Sequence, residues 1–290
     1  MGARRSADSV ALTDAPATTA LAVAAERLAP ASETPRLDAE VLLAFAAGRT
    51  RASLLAFPER LLEPAAAARF AALVARRALG EPLAYLTGER EFFSLPLAVS
   101  PDVLIPRAET ELLVELALAA IAALAEPAIL DVGTGSGAIA LALKNARADA
   151  VVTGSDSSGA ALQLARANAA RLALDVRWVE SRWLEALGAQ RFDAIVSNPP
   201  YVHSADVRGA LTFEPRLALD GGADGLDAYR ELLATAGGHL AASGVLLLEH
   251  GHDQRAALGE LAGALGWRVA AAHDDLAGRP RVLVLARSSA

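Results

Sequence analysis

Hydrophobic positions along this chain change rhythm near residue 90. From Thr18 to about Leu79 they recur on a helix period: Leu37, Val41 and Phe45 predict one apolar face, and Phe70, Leu73 and Val74 another. No β-rich run or glycine-rich loop interrupts this stretch, which reads as a small helical bundle. From Glu91, "REFFSLPLAV" and "DVLIP" predict two short strands paired as a hairpin around Ser100 and Pro101. An amphipathic helix, "ELLVELALAAIAAL", follows.

From Pro127 onward strand-like and helix-like segments alternate. "AILDVG", "AVVTGS", "DVRWVE", "FDAIVSN" and "GVLLLEHG" predict strands; "AIALALKNA", "AALQLARANAARL", "AYRELLATAGGHL" and "QRAALGELAGAL" predict helices. "WRVAAAHDD" and "PRVLVLAR" predict a terminal strand pair. The pattern implies an α/β fold with a doubly wound, mostly parallel, Rossmann-like sheet and helices on both faces. The expected organisation is a disordered extension at 1–16, a helical domain at 17–90, a hairpin linker at 91–110 and an α/β domain at 111–290.

Composition narrows the function classes. Among 290 residues, 53% are hydrophobic and 21% charged, as in a folded globular protein. The 27 basic residues are outnumbered by 34 acidic ones, so the net charge of −7 lacks the footprint of a non-specific nucleic-acid binder. Cysteine is absent, which excludes disulfides and thiolate chemistry and fits a reducing cytoplasm. The longest apolar run, Leu116 to Ala125, is half of the ~20 residues a bilayer crossing needs. Asp8 and Asp14 interrupt any signal-peptide core. The expectation is a cytoplasmic monomer without membrane contact or stable nucleic-acid binding.

Two motifs carry the chemistry. "LDVGTGSGAIA" places Asp131 at a strand end and Gly133, Thr134, Gly135, Ser136 and Gly137 before a helix, a turn that lets a ligand approach the backbone. The same glycines also satisfy a dinucleotide fingerprint, and Asp156, closing the next strand, can take both hydroxyls of an adenosine ribose. A carboxylate at Asp131 suits an ammonium group better than a diphosphate, which favours S-adenosylmethionine over NAD. The second motif, "VSNPPYVH", ends the fourth strand, where open α/β sheets place reacting groups. A planar amide nitrogen is a poor nucleophile. The Asn198 side-chain oxygen and the Pro199 carbonyl can catch its two N–H bonds, Pro199 and Pro200 stiffen the corner, and Tyr201 can stack on the amide plane. A sulfonium donor leaves as a neutral product, so no metal is required. His203, His239, His250, His252 and His273 show no ligand spacing and read as structural.

Asn198-Pro199-Pro200-Tyr201 resembles the amino methyltransferases that act on planar nitrogen. With "PRLDAEVLL", "GEPLAYLTGEREFFSLPLAVSPDVLIPRAETELLVE", "ILDVGTGSGAIALAL", "FEPRLALDGGADGLDAYR" and "LLLEHG", the chain resembles the release-factor glutamine methyltransferases (HemK/PrmC family) from about Ala22 to Leu285. The resemblance implies an S-adenosylmethionine-dependent methyltransferase domain at 111–290. It further implies methyl transfer to the side-chain N5 of the glutamine in the Gly-Gly-Gln motif of peptide chain release factors, in support of translation termination. By the same resemblance, the cofactor lies along Gly133 to Gly137 and borders Asn198. Asp156 takes the ribose hydroxyls, Trp183 lies against the adenine, Asn198 to Tyr201 hold the glutamine amide, and the helical domain docks the release factor. Two positions depart from the family pattern: Arg182 stands where an acidic residue is usual, shifting the adenine contact towards Trp183, and Ala108 replaces a proline. Arg107 and Glu111 are spaced to pair.

Other readings fit less well. An adenine-N6 nucleic-acid methyltransferase uses a similar turn but needs base flipping and a basic target-recognition domain. A non-catalytic module with a relic fold is at odds with intact Asp131, Gly133, Gly135, Asp156 and Asn198. A dehydrogenase has no use for the proline pair.

Overall fold

A computed structural model describes residues 16–288, and the chain divides after Gly88 into two compact units. The first is all helix: α1 (Ala17–Leu28), α2 (Pro35–Ala47), α3 (Arg51–Ala56), α4 (Pro64–Ala78) and α5 (Leu83–Thr87). Proline opens α2 and α4, where its missing N–H would be unpaired anyway. The core joins Leu21 and Leu28 of α1, Leu42 and Leu43 of α2, and Phe70, Leu73 and Val74 of α4. The expected face of α2 is not the buried one. Leu37 and Phe45 are 39% and 52% exposed, and Val41 is half-buried; Ala39, Leu42, Leu43 and Ala46 point inward. Both stripes share the helical spacing, and weighting by side-chain size picks the wrong one because two of the inward residues are alanines. Of the extension expected at 1–16, Pro16 bridges to Leu61 and the rest lies outside the described residues.

The second unit opens with a hairpin, β1 (Glu89–Phe92) against β2 (Leu95–Ala98), antiparallel with Phe92 opposite Leu95. The turn is therefore Phe93-Ser94 rather than Ser100-Pro101, and "DVLIP" forms no strand. Phe93 and Ser94 both have positive φ, 50° and 63°, as a two-residue type I′ turn demands. Neither is the glycine or asparagine that signals such a turn, so the pattern hid it. The Glu111 Oε1 accepts the Phe93 N–H at 2.9 Å, and Arg107 pairs with Glu214 at 2.5 Å, so the expected Arg107–Glu111 pair does not form.

After α6 (Glu111–Ala120) come β3 (Ala128–Val132), α7 (Ala138–Ala146), β4 (Val151–Asp156), α8 (Gly159–Leu172), β5 (Arg177–Glu180) and β6 (Phe192–Ser197). Then follow α9 (Asp227–Ala236), β7 (Leu240–Glu249), α10 (Arg255–Ala264), β8 (Trp267–Asp274) and β9 (Pro280–Arg287). The sheet order is β5-β4-β3-β6-β7-β9-β8, parallel from β5 to β7, with β9 antiparallel to both its neighbours. Strand residues alternate between two cores. Ile129, Ala194, Val196 and Leu247 pack with α6 and α7; Leu130, Ile195, Leu246 and Leu248 pack with α9 and α10. Trp178 of β5 crosses β4, its ring so close that a methyl group on Gly154 would come within 2.4 Å of it. The chain winds outward from β3 in both directions, so the crevice at the carboxyl ends of β3 and β6 is the topological switch point.

Candidate active site

Val132 and Ser197 are partners in the β3–β6 register, so both strands end at one level. The two motifs start from these ends and face one cleft of about 1320 Å³, lined by Gly133, Gly135, Asp156, Trp183, Asn198 and the proline pair. Ser197 also donates its hydroxyl to the Val132 carbonyl at 2.7 Å, tying the strand ends together.

The glycine turn is anchored on β4: the Gly133 and Thr134 N–H groups both donate to the Ser155 carbonyl at 2.9 Å. Gly133 and Gly135 have φ of 73° and 55°, and a Cβ on either would meet nothing within 4 Å. Backbone conformation selects glycine here, and the bare face leaves room for a ligand. Asp156 accepts from Gly135 N through Oδ2 and from Ser158 N through Oδ1, both at 2.9 Å. Each oxygen retains a lone pair for a ribose hydroxyl. Burial raises the Asp156 pKa, opposed by these backbone N–H groups. The open glycine backbone, this carboxylate and the Trp183 indole fit an adenosine-bearing ligand such as S-adenosylmethionine.

Asp131 has a different place from the one expected. It is fully buried behind the turn and absent from the cleft wall. Its Oδ2 accepts from the Thr134 hydroxyl at 2.5 Å and from Ala140 N at 3.2 Å, while Oδ1 has no partner. Burial pushes its pKa up to about 7, against the pull of Thr134 and Ala140. Thr134 and Ser136 are likewise buried, and Gly137 caps α7. Buried Asn168 of α8 holds this turn to the hairpin, donating to the Ser136 and Ala98 carbonyls at 2.9 and 3.0 Å and accepting from Ala98 N at 2.8 Å.

At the other strand end, Asn198 Nδ2 donates to the Thr110 hydroxyl at 3.1 Å, and Oδ1 is shut from solvent with no partner. An unmatched buried acceptor costs free energy that an incoming N–H would recover. The corner is clamped from behind. A Cβ at Gly221 would come within 2.8 Å of Tyr201 Cα and 2.9 Å of the Pro200 carbonyl oxygen, so only glycine fits. Val202 N donates to the Leu219 carbonyl and Gly221 N to the Val202 carbonyl, each at 2.8 Å, and Gln254 Nε2 donates to the Tyr201 carbonyl at 3.0 Å. Tyr201, expected to stack on the amide, does not line the cleft; it packs on the core beneath, where burial pushes its phenol up to about 12. Arg182 lines the cleft and pairs with Glu231 at 3.1 Å. Thr110, Asn168, Gly221, Gln254 and Glu249 escape the motif reading. Thr110, Gly221 and Glu249 lie inside the family-like stretches quoted above without a role of their own, and Asn168 and Gln254 show only a polar residue in or beside a helix.

Two family profiles match: PrmC N-terminal domain over residues 19–88 and Methyltransferase small domain over 108–214. A release factor glutamine methyltransferase of Burkholderia pseudomallei is 49% identical over 88% of this chain and 93% of its own length. One from Moorella thermoacetica is 48% identical over 92% and 97%. Among solved structures, a T. thermophilus 16S rRNA methyltransferase in complex with AdoMet and guanosine shares the fold. Its TM-score is 0.51 at 22% identity, covering 69% of this chain and 50% of that one.

Proposed function

The chain belongs to the release factor glutamine methyltransferase family, and on that premise we propose that it methylates the side-chain N5 of the glutamine in the Gly-Gly-Gln motif of peptide chain release factors. The observation that carries this reading is the common cleft: a carboxamide-binding corner and an open glycine turn leave adjacent strands at the same level. When bound, S-adenosylmethionine supplies the methyl group, the N–C bond forming as the C–S bond breaks and its electron pair stays on sulfur. Gly133, Gly135, Asp156 and Trp183 would hold it. The Asn198 Oδ1 and the Pro199 carbonyl accept the two N–H bonds of the glutamine amide and so orient its nitrogen. The methylated amide nitrogen then releases one of those protons to water in the open cleft, since an N-protonated amide is a strong acid. Asp131 and Tyr201 act from behind, the first bracing the glycine turn and the second the corner.

We assign docking of the release factor to the helical unit, whose exposed Leu37, Phe45, Phe57 and Leu61 offer apolar area that its own core leaves unused. The test is incubation with labelled S-adenosylmethionine and, separately, a release factor, its Gln→Ala variant, and DNA. Label in the intact release factor alone is the expected result. Label in DNA and none in the release factor would overturn the reading in favour of a nucleic-acid methyltransferase.

A further inference from the structure

Glu249 ends β7, and Leu248 is the register partner of Ser197, so Glu249 stands level with Asn198 on the neighbouring strand. It is 1% exposed, and neither carboxylate oxygen closes a hydrogen bond. Arg281, whose charge acts on it, is engaged with Asp275 at 3.2 Å. The Tyr229 hydroxyl holds the Glu249 main-chain carbonyl at 2.8 Å, which fixes the strand end and leaves the side chain free of that bond. A buried carboxylate without a tight partner is costly to keep in a fold. Two hydroxyls stand near enough to favour its charged form, those of Thr110 and Tyr201.

Thr110 is the same residue that receives Asn198 Nδ2. A threonine hydroxyl has one hydrogen to give, and an ionised carboxylate can only accept. With Glu249 drawing that hydrogen, Thr110 offers Asn198 lone pairs alone. The Asn198 carboxamide then has one orientation, Nδ2 towards Thr110 and Oδ1 away from it. Without Glu249 the hydroxyl can turn and donate to Asn198, the carboxamide flips, and its NH2 meets the N–H bonds of the substrate amide. We propose that Glu249 is a positioning residue for methyl transfer, acting through the Thr110 hydroxyl to keep the Asn198 Oδ1 as the acceptor for the glutamine N–H. The proposal rests on the methyltransferase reading above. It also gives work to two stretches that reading leaves idle, "PRAETE" and "LLLEHG".

Burial pushes the Glu249 carboxyl up to about 7; Thr110, Arg281 and Tyr201 pull it down and Glu109 adds to the rise. Below that pH it gains a proton, becomes a donor, and no longer fixes the direction of the Thr110 bond. The chain has three asparagines, Asn145, Asn168 and Asn198, so side-chain amides labelled with nitrogen-15 are few enough to assign by substitution. The experiment follows the Asn198 amide signal and kcat together from pH 5.5 to 8.5, in wild type, Glu249→Gln, Thr110→Val and Thr110→Ser.

In wild type the Asn198 signal should titrate near pH 7, and kcat should fall on the acid side. In Glu249→Gln and Thr110→Val the titration should vanish and kcat at high pH should drop about 10–100-fold, the scale of a misplaced reacting group. Thr110→Ser, which keeps the hydroxyl, should recover most of the Thr110→Val loss. An Asn198 titration and kcat profile in Glu249→Gln identical to wild type would overturn the proposal. If Glu249→Gln does not fold, identical behaviour in Thr110→Val decides it in the same way. Failure of wild type to label the release factor at all would instead sink the reading of the site, so the two failures stay separate.

Discussion

Behind each of the two strand ends that form the cleft sits a buried carboxylate with a threonine beside it, and the two pairs are wired differently. At β3, Asp131 takes the Thr134 hydroxyl at 2.5 Å and the Ala140 N–H at 3.2 Å, so its charge is committed to one turn of backbone. At β6, the Thr110 hydroxyl accepts from Asn198 and keeps its hydrogen for the Glu249 side, where neither carboxylate oxygen closes a bond of full geometry. Burial pushes both carboxyls up to about 7. The first arrangement holds a loop whose job is to be approached by a ligand. The second controls which atom of an asparagine faces the ligand. Burial of a carboxyl thus serves rigidity in one place and polarity in the other.

The largest effect should come from breaking the β6 side at its tip. Asn198→Ala is expected to lower kcat by about 10²–10³-fold, as removal of a key polar group in a preorganised site does. Affinity for S-adenosylmethionine, measured by calorimetry, should stay within a few-fold. Equal loss in both would move Asn198 from the amide to the cofactor.

Next is the stability cost of the buried charge. A group whose folded pKa is raised stabilises the fold fully below its unfolded pKa, and that contribution is lost as pH rises through the folded value. For Glu249 the window runs from about 4.5 to about 7. Glu249→Gln should therefore gain stability relative to wild type between pH 5 and 8, by up to about 3 kcal/mol, read from denaturant titrations at both pH values. A difference that does not change with pH would mean that the folded and unfolded chains ionise Glu249 alike and that burial does not shift its carboxyl.

Gly221→Ala tests the clamp. The added methyl must displace the Pro200–Tyr201 backbone, and a shift of about 1 Å at the corner should cost about 100-fold in kcat while the fold persists. Circular dichroism separates this from unfolding. The smallest effect belongs to Arg182, whose ion pair with Glu231 is solvent-exposed. Arg182→Ala should change cofactor affinity by no more than about 1 kcal/mol. A larger change would show that this arginine contacts the adenine in its own way, donating to a ring nitrogen where an acidic residue would accept from the amino group.

Much of this architecture was readable beforehand, because strand and helix periods are local and the parallel sheet leaves long apolar runs. The glycine turn and Asn198-Pro199-Pro200 were legible for a related reason: each needs residues with unusual backbones, and these are rare enough to stand out. What stayed hidden depends on contacts between distant segments. Thr110 and Glu249 sit 139 positions apart in number and meet only through the sheet. Asn168 looks like any polar residue in a helix until its carboxamide is seen bridging Ala98 and Ser136. Tyr201 shares a motif with the prolines, yet it is partly buried and packs against the core rather than lining the cleft. The α2 stripe failed because hydrophobic size was read as inwardness, whereas alanine on the inner face let the helices close up.

The Trp178 ring wedged against Gly154 also touches the far side of the glycine turn, since a methyl on Gly137 would come within 3.0 Å of it. The turn therefore carries its own optical reporter. Of the other two indoles, Trp267 is buried and bonded to the Leu233 carbonyl at 2.9 Å, and Trp183 faces the cleft. In a Trp183→Phe background, emission changes on adding nucleoside would come from Trp178 and would time the settling of the turn without any attached dye.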